Sequence, residues 1–289
     1  AEELRRQRGY PAPQIPKAHI ITVTSGKGGV GKSNFALNFS LCLSFLGKRV
    51  LLVDADANLA NLDLLLGIRP SGNLGHIVRG EKGLDEVLIR ISSHLDFLPA
   101  ASGDATLFGW EEETHRRLKE SFTALEQEYP FIVVDTGAGL TPIIISYAAS
   151  ADDLVVVTQN EPTAVADAYA LVKMVVRSNP TARIHILVNR TRSPEEGYDL
   201  FDRLNLVSHN FLQVDLQFLG SLPEDPKVGE AVAAQAPFVK LFPHSSASVA
   251  VKMIVRRLFY STVSSTSPPH ISWWEKLVHI LKGQSDEKS

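Results

Sequence analysis

The sequence predicts an α/β protein whose mainly parallel β-sheet is covered by helices on both faces. Seven short runs rich in Val, Ile and Leu have the composition of buried strands. Longer helical patterns separate most of these runs, and this alternation is typical of parallel sheets. The chain has 289 residues, of which 44% are hydrophobic and 21% charged, so it is long enough to bury a large core.

The predicted elements follow one another in a regular order. The strands are HIITVT (19–24), RVLLVDAD (49–56), LDFLPA (95–100), FIVVDTG (131–137), LVVVTQ (154–159), RIHILVN (183–189) and QFLGSLP (217–223). Helices are predicted over 35–47, 113–128, 163–178 and 243–260. Residues 59–110 break the rhythm with short, glycine-punctuated segments, where we expect small helices and loops.

The two ends of the chain differ in composition from its interior. Residues 1–16 are charged and then proline-rich, which indicates an arm followed by an extended linker. The main domain is expected over 17–260. Residues 261–270 are small, polar and proline-ended, which indicates a second linker, and 271–283 form a separate amphipathic helix.

Charge and cysteine content exclude several classes of protein. The net charge of -3 gives no general attraction to nucleic acid, and no specific nucleic-acid partner is expected. The single cysteine, Cys42, excludes a disulfide framework or a thiolate-bound cluster within one chain. No signal peptide and no apolar run long enough to span a bilayer are recognised, so the expected compartment is the cytosol.

The stretch TSGKGGVGKS (24–33) carries the clearest chemical signal. Gly26, Gly31, Lys32 and Ser33 fit the phosphate-loop pattern G-x-x-x-x-G-K-[ST] between a strand and a helix. The glycines let backbone N–H groups approach phosphates, and the helix N-terminus adds a positive dipole end. Lys32 should reach the β- and γ-phosphates, and the hydroxyl of Ser33 should bind Mg²⁺.

A second lysine, Lys27, directly follows the first glycine of the loop. The form K-G-G-V-G-K-S resembles the deviant Walker A motif of the MinD/ParA family, in which two subunits face each other across two ATP molecules. The resemblance implies ATP or ADP with Mg²⁺ as cofactors, an ATP-dependent homodimer, and a Lys27 that acts in the partner's site, like an arginine finger supplied in trans. The implied nucleotide contacts of the loop are Gly26, Lys27, Gly28, Gly29, Val30, Gly31, Lys32, Ser33 and Asn34.

The resemblance covers about residues 18–260 and includes both nucleotide-sensing switches. VDADANLANLDLLLG (53–67) is similar to the family's switch I, with Asp54 near the Mg²⁺ site and Asp56 orienting or deprotonating the attacking water. Asn61 and Asp63 stand where other switch I contacts are made. FIVVDTGAG (131–139) is similar to a Walker B strand in which Asp135 holds magnesium through water, followed by Gly137 and Gly139 of switch II.

Two further segments match the family's base-binding elements. ILVNR (186–190) ends in Asn189, which the family uses to read the adenine amino edge, with Arg190 beside it. LPEDPKV (222–228) matches the segment that closes over the base, with Pro223 and Asp225 as contacts. A strand-end asparagine can also be a simple turn residue, so this alternative stays open.

Within the family, the chain most resembles the flagellar-number branch called FlhG, FleN or YlxH. NLANLDLLLG (58–67) and FLPAASGDAT (97–106) fit that branch. The branch also carries an N-terminal D-Q-A-x-x-L-R motif that engages the GTPase FlhF. The sequence begins AEELRR, in which Ala1, Leu4 and Arg5 match the motif. Either the leading Asp and Gln precede these residues or the motif is degenerate.

Other members of the family remain alternatives. A MinD-type division-site ATPase shares the site and a C-terminal membrane helix but has no N-terminal arm. A ParA-type DNA-partition ATPase would need a basic stripe that the sequence does not contain. Flagellar switch-complex proteins are a second class of expected partner. A non-enzymatic scaffold that only binds nucleotide is a further alternative, but it conflicts with the full set of Lys27, Lys32, Ser33, Asp56 and Asp135.

The helix at 271–283 has one apolar and one polar half. Trp273 and Trp274 suit a membrane headgroup boundary, and the pattern predicts an interfacial helix. We expect it to dock on its own domain in the monomer and to bind the inner face of the cell membrane in the ATP dimer. The apolar half consists of Ile271, Trp273, Trp274, Leu277, Val278, Ile280 and Leu281.

Overall fold

A computed structural model describes residues 18–56, 61–100, 112–263 and 272–286. The strands are β1 (His19–Ser25), β2 (Val50–Ala55), β3 (Ile89–Ser92), β4 (Leu95–Leu98), β5 (Phe131–Ala138), β6 (Asp153–Gln159), β7 (Ile184–Thr191) and β8 (Gln217–Pro223). The helices are α1 (Lys32–Ser44), α2 (Leu62–Leu66), α3 (Leu74–Val78), α4 (Leu84–Val87), α5 (Glu112–Glu128), α6 (Pro142–Ser150), α7 (Pro162–Ser178), α8 (Pro194–Leu212), α9 (Pro226–Ala233), α10 (Phe238–Leu241), α11 (Ser246–Val263) and α12 (Trp273–Asp286).

The strands form one sheet in the order β3-β4-β2-β5-β1-β6-β7-β8. Every neighbouring pair is parallel except β3 and β4, which are antiparallel. The predicted mainly parallel α/β fold is therefore confirmed. The prediction missed β3, which lies within 59–110. This edge strand has only four residues, and its antiparallel pairing with β4 forms it rather than an apolar run.

Helices bury both faces of the sheet. On one face, α1 and α11 pack over residues such as Val23, Val133 and Val155. On the other face, α5, α6 and α12 cover the half around β2 and β5, while α6, α7 and α8 cover the half around β6 and β7. Successive strand residues point to opposite faces, so both sets of side chains must be apolar, which explains the continuous Val/Ile/Leu runs.

The ends of the main domain differ slightly from the prediction. Helix α11 continues to Val263, three residues past the expected boundary at 260, and α12 covers Trp273–Asp286 instead of 271–283. The predicted arm at 1–16, the linker residues 264–270 and Ile271 lie outside the described residues.

The sheet order brings the functional segments together. Because all strands except β3 run in the same direction, the loops that follow them leave the same edge of the sheet. Ligands bind at this carboxyl edge in open α/β sheets. Segments more than 150 residues apart in sequence can therefore form one site.

Candidate active site at the carboxyl edge of the sheet

The glycine-rich loop joins β1 to α1 and needs its glycines. Gly29 and Gly31 have φ values of +80° and +92°, a region that favours glycine. A Cβ at Gly26 would collide with the backbone of Asp167, and a Cβ at Gly31 would collide with the amide of Asn189. Gly31 is also the N-cap of α1 and makes no side-chain cap hydrogen bond. The first N–H groups of α1 therefore suit an anion.

Lys32 links the loop to β5. Its Nζ lies 2.8 Å from Oδ1 of Asp135 and 3.1 Å from Oγ of Ser33. Both members of the Lys32–Asp135 ion pair are buried. Burial raises the pKa of Asp135 above its ordinary value, and the charge and hydrogen bond of Lys32 oppose this effect. The structure thus groups the predicted phosphate-binding lysine with Ser33 and Asp135, two of the three predicted magnesium residues.

Asp54 stands beside Asp135, because β2 and β5 pair these two residues in register. Oδ1 of Asp54 accepts a hydrogen bond from the backbone N–H of Asp56 at 3.0 Å. Its Oδ2 is buried and has no hydrogen-bond partner among the residues that the structure describes. Burial, followed by the charge of Asp135, raises the pKa of Asp54 to about 7.

This set of oxygen atoms fits a magnesium ion. Mg²⁺ prefers hard oxygen ligands and commonly takes one or two carboxylates together with phosphates. The unpartnered Oδ2 of Asp54 is the observation that supports the fit, since a buried carboxylate oxygen normally has a partner. The hydroxyl of Ser33 and the carboxylates of Asp54 and Asp135 are the residues that would hold the ion.

Lys27 has a separate environment from Lys32. Its Nζ lies 2.7 Å from Oε2 of Glu161 and 3.1 Å from Oγ1 of Thr163, at the start of α7. The hydrogen bond from Lys27 lowers the pKa of Glu161. The sequence analysis missed Glu161 and Thr163. They come shortly after the end of the buried strand β6, and a position near the end of a buried strand is the same signal that pointed to Asp54 of β2 and Asn189 of β7.

A cavity of about 560 Å³ lies over the phosphate loop. Lys32 and Ser33 line it together with Asp56 and Asn61 of the predicted switch I. A Cβ at Gly137 would lie 3.3 Å from Oδ1 of Asp56, so the two predicted switches meet here. The remaining lining residues are Ser25, Gly28, Gly29, Gly31, Asn34, Leu64, Leu65, Ala138 and Val232.

Asp63 does not line this cavity. Its Oδ1 accepts the backbone N–H of Leu64 at 2.7 Å. It lines a smaller cavity of about 210 Å³ that it shares with Asp54, Asn73 and His76. Residues 57–60 of the predicted switch I lie outside the described residues.

A second large cavity, of about 520 Å³, lies beside the loop. The predicted base-binding residues Asn189, Arg190, Pro223 and Asp225 line it, together with Asn34, which was predicted as a contact of the phosphate loop. The amide of Asn189 also supports the loop, because its Nδ2 donates to the carbonyl of Val30 at 2.7 Å. Its Oδ1 accepts the backbone N–H of Arg190 at 2.9 Å. Asn189 therefore both lines the cavity and fixes the phosphate loop.

The carboxylate of Asp225 bonds to the starts of two helices. One oxygen accepts the N–H of Lys227 in α9 at 2.9 Å, and the other accepts the N–H of Ala247 in α11 at 3.0 Å. The hydroxyl of Ser246 also donates to it at 2.9 Å. Asp225 thus shapes the wall of the cavity by capping helices, a role that the sequence analysis did not include.

The apolar half of α12 is buried against its own domain. Trp273, Trp274 and Leu277 are 0%, 4% and 0% exposed. Both tryptophan rings contact Phe122 of α5, with ring centroids 5.2 and 5.3 Å away. Val278 and Leu281 pack against the same cluster, and Ile280 packs against the neighbouring one.

Polar contacts also hold α12 in place. Oε1 of Glu126 accepts the backbone N–H of Trp273 at 3.0 Å. Lys119 pairs with Glu275 at 2.9 Å, and Lys276 pairs with Asp152 at 3.3 Å. Across the part of the chain that the structure describes, no helix combines the length and apolar character needed to cross a bilayer.

Known proteins share this sequence and architecture. A family model described as AAA domain matches residues 18–187. The antiactivator FleN of Pseudomonas aeruginosa is 37% identical over 260 residues, which cover 90% of this chain and 93% of that protein. The flagellum site-determining protein YlxH of Helicobacter pylori is 32% identical over 238 residues, with 81% of this chain and 80% of that protein covered.

A solved structure extends the comparison to the fold. The septum site-determining protein MinD of Pyrococcus horikoshii, complexed with Mg-ADP, matches with a TM-score of 0.67 and 28% identity. The match covers 86% of this chain and 100% of that one. The loop with two lysines, the paired aspartates and the sheet order agree with these relatives, and the chain therefore belongs to the MinD/ParA family of P-loop ATPases, in the FlhG-like branch with FleN and YlxH.

Proposed function

We propose that the chain is an ATP-hydrolysing molecular switch that dimerises with ATP, binds the membrane reversibly and regulates the number or placement of flagella. Similarity to an antiactivator, FleN, and to a flagellum site-determining protein, YlxH, supports the flagellar role. The MinD relatives support an alternative role in placing the division site, and a ParA-type partition role is a weaker alternative.

One observation carries the proposed mechanism: the two lysines of the loop have different partners. Lys32 bonds to Asp135 and Ser33 at the base of the cavity. Lys27 instead bonds to Glu161 and Thr163 at the exposed start of α7. An exposed ion pair of this kind is weak because water screens it, so Lys27 can exchange it for a stronger partner. Phosphate oxygens bound to a second subunit would be such a partner.

The remaining residues have roles within their own subunit. Lys32 and the N–H groups at the start of α1 would hold phosphate oxygens, and Ser33, Asp54 and Asp135 would hold Mg²⁺. When bound, the magnesium ion would neutralise charge on the transferring phosphoryl group. Asp56 lies at the edge of the same cavity, where its carboxylate would orient or deprotonate the attacking water.

Sedimentation and turnover with Mg-ATP test the dimer. Wild type should sediment as a dimer with ATP and as a monomer with ADP. Lys27→Ala should keep nucleotide affinity, because Lys27 bonds outside its own phosphate site, but should lose most turnover. Lys240→Ala is a matched control at an exposed position, and Lys32→Ala should lose binding itself. A wild type that stays monomeric with ATP, or a Lys27→Ala variant with full turnover, would contradict the trans mechanism.

For the membrane, we propose that ATP-dependent dimerisation releases α12. The docked helix hides Trp273, Trp274 and Leu277, so one monomer would bind lipid weakly. Two released helices on one dimer would bind far better through effective concentration. In liposome flotation, wild type should float with ATP and much less with ADP, whereas Trp274→Glu should float with neither. Equal flotation of the wild type in both nucleotides would refute the switch.

For the partner, we propose that the N-terminal arm engages an FlhF-type GTPase through Leu4 and Arg5, which lie outside the described residues. Flagellar switch-complex proteins are the second candidate class. A pull-down with an FlhF-type GTPase, with and without residues 1–10, tests the arm. Capture that is unaffected by this deletion would contradict the proposed contact.

A further inference from the structure

Gln159 ends β6 at the carboxyl edge of the sheet, and β6 lies beside the strand that leads into the phosphate loop. It is the last residue of β6 and pairs in register with Asn189 of β7. Val155 and Val157 of β6 face the core under α1, so Gln159 faces the same way because strand side chains alternate. On its other side, β6 pairs with β1, the strand that leads into the loop. The side chain of Gln159 therefore lies on the loop side of the sheet.

The amide nitrogen of Gln159 is buried without a hydrogen-bond partner among the described residues. The residue is only 6% exposed, and its Nε2 donates no hydrogen bond to any residue that the structure describes. A buried, unpaired amide donor lowers stability, and such groups are rare in folded proteins. Packing alone does not explain this choice, since an apolar side chain of similar length would avoid the cost.

Asn189, the register partner of Gln159, shows that a side-chain amide at the end of these strands can hydrogen-bond to the phosphate loop. Asn189, one strand away, donates its Nδ2 to the carbonyl of Val30 in the loop at 2.7 Å. The backbone carbonyl of Gln159 accepts the N–H of Glu161, the residue that pairs with Lys27. Gln159 is thus paired with Asn189, which supports the loop, and hydrogen-bonded to Glu161, which binds Lys27.

We infer that Gln159 is a positioning residue whose amide N–H pairs with a backbone carbonyl of the phosphate loop when the loop holds nucleotide. The inference rests on the proposed ATP binding. The amide of Gln159 should therefore have opposite effects on the stability of the nucleotide-free protein and on nucleotide affinity. The unpaired donor lowers the stability of the protein without nucleotide, and the new hydrogen bond adds to nucleotide affinity. A purely structural residue would not produce this combination.

The test replaces the amide with an apolar side chain of the same length. Gln159→Met should bind both ATP and ADP about tenfold more weakly than wild type, the effect of roughly one buried hydrogen bond. Its melting temperature without nucleotide should equal or exceed that of wild type. Gln217→Met is a matched control, since Gln217 is exposed at the opposite end of β8, and it should change neither quantity. Gln159→Leu provides a second, shorter replacement in case Met overpacks the site.

Three results would overturn the inference. Unchanged affinity in Gln159→Met and Gln159→Leu would show that the amide does not act on the nucleotide site. Lower melting temperatures of both variants without nucleotide would indicate a structural role. Weaker binding of ATP alone would place the acceptor on the terminal phosphate and not on the loop. If wild type itself binds no nucleotide, the proposed function fails, and this inference fails with it.

Discussion

At the scale of single residues, the chemistry of the site depends on how β2 and β5 pair. Asp54 and Asp135 are register partners at the carboxyl ends of these strands. Lys32 neutralises Asp135 through a buried ion pair, whereas Asp54 accepts the N–H of Asp56 and forms no ion pair with any residue that the structure describes. Two adjacent carboxylates with one lysine leave a net negative charge that suits a divalent cation.

The first prediction concerns Asp54 and pH. Because burial raises its folded-state pKa from 3.8 to about 7, the folded state binds more protons than the unfolded state between these values. Stability without magnesium should therefore fall as pH rises from about 4 to 7. Asp54→Asn removes this loss and should be more stable than wild type by about 2–4 kcal/mol at pH 8.

Urea unfolding at pH 5 and pH 8, in the presence of a chelator, measures this effect. The advantage of Asp54→Asn should be clearly smaller at pH 5, since most of the wild-type carboxyl is then protonated. Asp202→Asn at an exposed position of α8 is the control and should show no such pH dependence. A variant that is less stable than wild type at pH 8 would contradict the prediction.

At the scale of elements, two contacts organise the helices around the site. Asp225 caps α9 and α11 together, which holds the wall of the 520 Å³ cavity in place. Glu126 of α5 accepts the first N–H of α12 and so anchors the start of that helix. In both cases one carboxylate satisfies backbone donors that a helix N-terminus leaves unpaired.

The second prediction is that Asp225 stabilises the fold even without nucleotide, which a residue that only contacts the base would not do. Asp225→Ala leaves α9 without its cap and removes one contact at the start of α11, where the hydroxyl of Ser245 still accepts the N–H of Ser248. A lost cap costs about 1 kcal/mol. We expect unfolding free energy to fall by about 1–3 kcal/mol in the absence of nucleotide. Asp199→Ala on the exposed face of α8 is a control that should stay near wild type. If Asp225→Ala weakens ATP binding at unchanged stability, the residue is a ligand contact and not a cap.

The third prediction separates the docking of α12 from its affinity for lipid. Glu126→Ala removes the hydrogen bond to the first N–H of α12, while the cap formed by the Ser272 hydroxyl and the sequence of the helix stay unchanged. Docking should weaken by about 1 kcal/mol, and flotation with ADP should rise by roughly fivefold. Glu128→Ala, an exposed neighbour on α5, is the control. Unchanged flotation of Glu126→Ala with ADP would mean that docking does not limit membrane binding.

At the scale of the whole molecule, the sheet order gathers the site from distant segments. The loop after β1, Asp54 of β2, Asp135 of β5, Glu161 after β6 and Asn189 of β7 all lie at one edge. The exposed side chains of Leu64 and Val232 lie beside the cavity over the phosphate loop. Apolar residues at the rim of a charged cavity are what an interface between two copies would use.

The fourth prediction is that Asp56→Ala accumulates as a dimer with ATP. Asp56 lines the cavity beside Gly137 and is not a member of the Lys32–Asp135 ion pair, so its loss should spare nucleotide binding and stop hydrolysis. Sedimentation with Mg-ATP should show a larger dimer fraction than wild type, and the dimer should persist for longer. Asp215→Ala, an exposed aspartate remote from this edge, is the control. An Asp56→Ala variant that stays monomeric at saturating ATP would contradict the proposed order, in which dimerisation precedes hydrolysis.

The sequence alone determined the elements and the motifs that carry chemistry. Continuous apolar strands, helical spacing between them and a glycine-rich loop are local signals, so they identified the α/β fold and residues such as Lys32 and Asp135 without any contact information. The short edge strand β3 escaped because its pairing with β4, and not its composition, forms it.

Only the tertiary structure decided which side chains act on each other. Lys27 and Glu161 are 134 residues apart in sequence, and they meet because the sheet order places β6 beside β1. The same holds for Asn189 under Val30, for Asp225 between two helices, and for Trp273 and Trp274 against Phe122. An amphipathic pattern shows that a helix has an apolar face, but not whether lipid or its own domain covers that face. Composition is a local property, whereas burial and partnership depend on chain segments that the sequence does not place next to one another.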